Sequence, residues 1–239
     1  MQTNRLKDKV VIIIGATGGM GQAAAKALAA EGAKLMLGSR KEQVLHTLAD
    51  ELVSGGAEAA YRKVDVTNEE EVQAFFDDTA KTFGRFDVLL NLAGLSIPSS
   101  ISEMTIQQYE QSMDVNLKGT FLCSKHFIPF VEKEQGGLIV NIGSMAAKRA
   151  NPNAPLYCTA KAALNMFSQG LSLQLIEKNI RVTTLNPGAT DTEFWGNRQV
   201  PREKFMTASD IAEVLLFVLQ MDPRLVFHEI NFESFAFYK

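Results

Sequence analysis

The chain has 239 residues, 46% of them apolar, and a formal net charge of −3 with both signs mixed along its length. Such a balance gives no basic field for nucleic acid or anionic lipid, and no apolar run approaches the roughly 20 residues of a membrane span. The opening MQTNRLKDKV lacks the apolar stretch of a secretory leader, so the expectation is a cytoplasmic protein that stays off membranes.

In chain order, Val10–Ile14 is a β-branched run that predicts a strand, followed by a glycine cluster at 15–21 and an alanine-rich helix at 22–31. A second strand is expected at 34–37 and a second helix at 42–53, stopped by Gly55 and Gly56. A third strand at 59–64 leads to Asp65, and Asn68 with Glu71 forms a helix-start signal ahead of Val72, Phe75, Phe76 and Phe83. The pattern repeats with strands at 86–91, 138–142 and 181–185, helices at 106–131, 155–178 and 209–220, and a last strand at 225–231. Near-continuous apolar strands alternating with helices predict an α/β, doubly wound, mostly parallel sheet of about seven strands, Rossmann-like, with helices on both faces. No linker or repeat interrupts it, so residues 1–239 read as a single domain. Cys123 and Cys158 lack a C-x-x-C spacing and read as reduced thiols. His46, His126 and His228 are scattered, and no metal site is expected.

In such sheets the ligand crevice lies at the carboxyl ends of the strands. Gly15, Gly19 and Gly21, with Thr17 and Met20 among them, stand between the first strand and the first helix. Residues without Cβ let the backbone approach a pyrophosphate, and the helix N-terminus faces the anion. The alternative is a tight strand-to-helix turn that binds nothing. At the end of the second strand, a carboxylate would accept bonds from a ribose diol and repel a 2′-phosphate. Ser39 and Arg40 stand there instead, a small donor and a guanidinium able to fork onto phosphate oxygens. The reading is NADP(H) over NAD(H), against the alternative of Arg40 as a solvated charge at a helix start.

Tyr157 and Lys161 are four apart on a predicted helix and share a face. A phenol titrates near pH 10 when unperturbed, and a nearby ammonium favours phenolate, which makes the pair a usable general acid and base. Alone, it is equally a surface pair. Ser144, at the end of the 138–143 strand segment, adds a hydroxyl able to donate to a carbonyl oxygen as negative charge develops there.

Taken together, these motifs resemble the short-chain dehydrogenase/reductase family in its single-domain form, over about residues 9–222. The similarity is carried by Gly15-x-x-x-Gly19-x-Gly21, Asp65, Asn91-Leu92-Ala93-Gly94, Asn116, Ser144 thirteen residues before Tyr157, Tyr157-x-x-x-Lys161, and Pro187-Gly188 with Thr190 and Thr192. The resemblance implies a hydride-transferring oxidoreductase acting on a small carbonyl or secondary alcohol. Tyr157 would give the proton, Ser144 hold the oxygen, and Lys161 lower the pKa of Tyr157 and bind the nicotinamide ribose. Asn116 would anchor a relay water. Asp65 and Val66 would contact the adenine, Asn91, Ala93 and Gly94 would line the adenosine and pyrophosphate side, and residues 187–192 would hold the nicotinamide. Ile14 and Leu92 depart from the family's usual threonine and asparagine. The resemblance also implies a homodimer or homotetramer built on the long fourth and fifth helices.

Two further readings stay open: a reductase of 3-oxoacyl thioesters, and a dinucleotide-sensing protein without catalysis. The loop at about 192–207 is the expected substrate loop, where Phe194 and Trp195 either form a lid or pack on a neighbouring helix. Lys148 and Arg149 either attract an acidic substrate or are solvated, and the aromatic tail from Phe232 to Tyr238 packs on its own domain or on another subunit.

Overall fold

A computed structural model describes residues 5–239. Seven parallel strands form one sheet in the order β3-β2-β1-β4-β5-β6-β7: β1 Val10–Ile14, β2 Lys34–Ser39, β3 Ala59–Lys63, β4 Val88–Asn91, β5 Gly137–Ile142, β6 Ile180–Pro187 and β7 Glu229–Phe232. β1, β4 and β5 are buried along their whole length, as strands covered on both faces must be. Alternate side chains of β1 supply two cores: Val11 and Ile13 join one, and Ile12 and Ile14 the other. Helices α1 (Gly19–Ala30), α2 (Glu42–Ser54) and α7 (Ala208–Gln220) cover the first face. The second is covered by α3 (Glu69–Phe83), α5 (Gly119–Phe127) and α6 (Pro155–Gln174), where Phe75, Phe76 and Phe127 are fully buried. This is the doubly wound, Rossmann-like architecture that the strand–helix alternation predicts.

Boundaries moved where local chemistry is subtle. Asn68 caps α3 by accepting from the Glu70 and Glu71 N–H groups, but the Glu71 carboxylate reaches back to accept from the Asp65 N–H at 2.9 Å. The helix expected at 106–131 is interrupted: α4 (Ile106–Met113) passes through a π-helical turn, Asp114–Lys118, before α5 resumes. Asn116 sits in that turn, and π turns inside helices recur at functional sites. β7 starts at Glu229 and runs to Phe232 rather than spanning 225–231, and the Leu225 carbonyl accepts from the Arg181 guanidinium at 3.1 Å.

The sheet's order reverses between β1 and β4, the neighbours from which the chain winds in opposite directions. The loops leaving these two strands touch there. Gly15 has φ +85°, and a Cβ on it would lie 2.7 Å from the Ala93 nitrogen. A Cβ on Gly21 would lie 2.3 Å from the Gly15 oxygen, so the first helix can pack this close to the loop only with glycine.

Candidate active site

A groove runs along the switch point. The glycine loop forms one side, through Gly15, Thr17, Gly19, Met20 and Gly21; Ser39 and Arg40 close one end. Asp65 and Val66 and then Ala93 and Gly94 form the other wall. The N-terminus of α1 opens onto it without a side-chain cap. Ser39 shares a 2.6 Å hydrogen bond with the Thr17 hydroxyl, while Arg40 is exposed and has no ion-pair partner among the described residues. Burial would raise the Asp65 carboxyl, but hydrogen bonds from the Thr67 N–H and hydroxyl, with Arg40 and Lys118 nearby, hold it below its ordinary value.

Asn91 departs from expectation. Its side chain does not line the groove; it is buried in the sheet and donates to the Asn141 side chain at 2.8 Å. Leu92, Ala93 and Gly94 supply the lining instead. The Leu92 departure is an apolar one in an apolar place, packed into the first core, and Ile14 fills the second.

The groove continues into a deeper cleft of about 840 Å³, Met20, Gly94, Thr192 and Phe194 belonging to both. Ser144, Tyr157 and Lys161 converge in it, and Pro187, Gly188, Thr190 and Thr192 form its far wall. Ser144 caps a short turn after β5, accepting from the Ala146 N–H, and its own N–H donates to the Asn186 side chain at 3.0 Å. Pro155 starts α6, which carries Tyr157 and Lys161 to the same end. The Lys161 Nζ donates to the Ile142 carbonyl at 2.8 Å and lies 5.8 Å from the Tyr157 ring centre. Asn116 lies behind: its amide donates to the Leu95 and Ser112 carbonyls, each at 2.8 Å, with its oxygen next to Gly94.

Burial pushes the Tyr157 hydroxyl up to about 12, opposed by a hydrogen bond with Ser144, and pushes the Lys161 ammonium down to about 8. The expected lowering of the phenol by its neighbour is therefore not met in the chain by itself: desolvation acts on both groups, and the ammonium is directed at a main-chain carbonyl.

Phe194 and Trp195 belong to a short 3₁₀ turn over the cleft. Ring contacts run from Tyr157 to Phe194 at 5.8 Å, on to Trp195 at 5.7 Å, Phe205 at 5.0 Å and Phe237 at 5.8 Å. The tail thus packs on its own chain, beside the cleft. Lys148 and Arg149 are both occupied, Lys148 by Glu229 at 2.6 Å and Arg149 by Glu233, which also accepts from the Tyr238 hydroxyl. Arg198 and Asn186 carried no signal in the sequence; both emerge only from the way their segments fold back.

Cys123 and Cys158 are both free thiols; Cys123 is buried, its thiol pushed up to about 12 by desolvation. Among the described residues no group of three or more His, Cys, Asp or Glu side chains comes together, and no helix is long and apolar enough to cross a membrane.

Residues 9–202 match the family model described as short chain dehydrogenase. The chain belongs to the short-chain dehydrogenase family. An uncharacterized oxidoreductase of Staphylococcus saprophyticus is 33% identical over 227 residues, covering 95% of this chain and 97% of that one. An alcohol dehydrogenase from the archaeon Thermococcus sibiricus, complexed with 5-hydroxy-NADP, superimposes with a TM-score of 0.90 at 30% identity, covering 96% and 98% of the two chains. A 7α-hydroxysteroid dehydrogenase complexed with NADH and 7-oxo glycochenodeoxycholic acid also reaches 0.90, at 28% identity and 97% and 95% coverage. This short-chain dehydrogenase is an oxidoreductase of a family that uses nicotinamide cofactors, and one such neighbour holds an NADP derivative while another holds NADH.

Proposed function

We propose that this short-chain dehydrogenase prefers NADP(H) and interconverts a small carbonyl compound and its secondary alcohol. The observation that carries the reading is the meeting of Ser144, Tyr157 and Lys161 in a cleft that opens directly into the glycine-walled groove. The groove suits a dinucleotide: Cβ atoms at Gly15 and Gly21 would collide with neighbouring backbone, so the loop is as close-drawn as a pyrophosphate cradle requires. Gly19, Met20 and Thr17 would sit along the phosphates, Asp65, Val66 and Ala93 beside the adenine half, and residues 187–192 beside the nicotinamide. Arg40, exposed, next to Ser39 and without an ion-pair partner among the described residues, supports a 2′-phosphate over a bare ribose diol. The nicotinamide, when bound, supplies or takes the hydride.

The remaining chemistry belongs to side chains. With its hydroxyl pushed up to about 12, Tyr157 is protonated at neutral pH and ready to donate to a carbonyl oxygen. Ser144 would hold that oxygen as charge develops, and Lys161, protonated, would hold ribose hydroxyls and resupply the proton from the Asn116 side. Exposed Tyr109, Phe121 and Met166 on α4, α5 and α6 support a homo-oligomer, for which light scattering is the test.

The deciding assay follows NADPH oxidation by its absorbance over ketones, aldehydes, 3-oxo acids and oxoacyl thioesters. Turnover of simple carbonyl compounds is expected. Tight NADPH binding with no turnover of any would overturn the enzymatic reading.

A further inference from the structure

We propose that Arg198 selects substrates that carry a carboxylate, so that the cleft reduces short oxo acids, or oxidises the matching hydroxy acids, in preference to neutral ketones. The inference rests on the reading of the cleft as a hydride-transfer site and names its substrate class.

Four charged side chains line the cleft: Arg149, Lys161, Arg198 and Glu233. Three are cations, in a chain whose net charge is −3. Two of those cations already have partners, Arg149 on the Glu233 carboxylate and Lys161 on the Ile142 carbonyl. Arg198 has no carboxylate partner among the described residues. Its Nη2 donates to the Phe194 and Ser96 carbonyls at 3.0 and 3.3 Å, which fixes the plane of the guanidinium. Its Nε and Nη1 groups make no hydrogen bond there.

Two aromatic rings also flank the guanidinium. Its centre lies 5.4 Å from the Phe194 ring and 5.5 Å from the Trp195 ring, cation–π distances that favour an ordered, poorly hydrated cation. A planar cation, pinned by carbonyls and lacking a counter-charge, is suited to a carboxylate, which such a fork binds with directional hydrogen bonds. Tyr157 and Arg198 flank the same ring, the phenol's ring being 5.8 Å from Phe194. A short acid therefore spans from the proton donor to the guanidinium, its body against Phe194.

The test compares wild type with Arg198→Met and Arg198→Lys. Turnover with NADPH is measured on short aliphatic and aryl oxo acids and on their methyl esters. Wild type should favour acid over ester by at least about tenfold in kcat/KM, chiefly through KM, as expected of a charge-assisted pair. Arg198→Met should bring that ratio close to one, and Arg198→Lys should restore part of it. Equal use of acid and ester by wild type, or a ratio unchanged in Arg198→Met, would overturn the proposal. A separate measurement needs no turnover: thermal shifts with benzoate, phenylacetate and 3-phenylpropionate against their neutral amides, with and without NADPH. Acid-specific stabilisation that vanishes in Arg198→Met would support the carboxylate site even if no oxo acid were reduced. Identical shifts by acids and amides would remove it even if simple ketones were turned over.

Discussion

Lys161 Nζ and the Ile142 carbonyl are joined by a 2.8 Å hydrogen bond inside the protein, with the lysine only 2% exposed. One carbonyl acceptor does not replace the water an ammonium loses there, and its pKa falls from 10.5 to about 8. Between those values the unfolded chain binds a proton that the folded chain has released, so the group's contribution to stability rises with pH across that window and is lost as pH falls through it. Subtracting the unfolding free energy of Lys161→Met from that of wild type should give a difference that grows by about 1–2 kcal/mol from pH 7.5 to 9.5. Denaturant melts at the two pH values measure it, and a flat difference would contradict the depressed value.

Tyr157→Phe should reduce turnover by about 10²–10⁴-fold, the usual worth of a positioned acid, while the NADPH dissociation constant changes little. The direction of pH dependence follows from the hydroxyl standing near 12. Carbonyl reduction needs the phenol and should not fall from loss of that proton below pH 9. Alcohol oxidation needs phenolate and should climb with pH over the same range. Initial rates in both directions check the pair of slopes.

Arg40→Ala should weaken NADPH binding by about tenfold or more and leave NADH within about twofold, since only the 2′-phosphate gains from the guanidinium. Fluorescence titration of both cofactors reads this. An equal loss for both would return Arg40 to the role of a solvated surface charge.

Asn186 holds the main chain at Ser144. Its oxygen accepts from the Ser144 N–H at 3.0 Å, its amide donates to Asn231 at 2.9 Å, and a Cβ on Gly143 would lie 1.9 Å from that oxygen. Asn186→Leu should cost about 1–3 kcal/mol of stability by leaving a buried N–H unpaired. It should lower kcat more than it raises KM, and Asn186→Asp, which keeps the acceptor, should recover part of kcat. A variant that is merely less stable, with kcat intact at low temperature, would remove the positioning role.

The sheet and its crevice were legible because β-branched runs, glycines and helix starts are local signals. Val10–Ile14 ending in Gly15 needs nothing distant to be read as strand and loop. The break at Asn116 was hidden, since apolar residues at helical spacing continue through 106–131 and the wider turn changes hydrogen bonding more than composition. Asn91 was misplaced for a similar reason: which face a strand-end side chain takes depends on the pleat and on its partner Asn141, fifty residues away. Arg149 read as either solvated or open to an acidic substrate because its partner, Glu233, lies 84 positions on. Arg198 was invisible for the opposite reason, its significance being the lack of a partner, which only a folded loop reveals.

The row of rings from Tyr157 through Phe194, Trp195 and Phe205 to Phe237 has a practical consequence. Tyr157 at one end of the row and Phe237 at the other both line the cleft, as do the paired Arg149 and Glu233. A bulky label attached at Lys239 should therefore disturb the wall of the cleft while leaving the sheet untouched, which a shift in KM without loss of secondary structure would reveal.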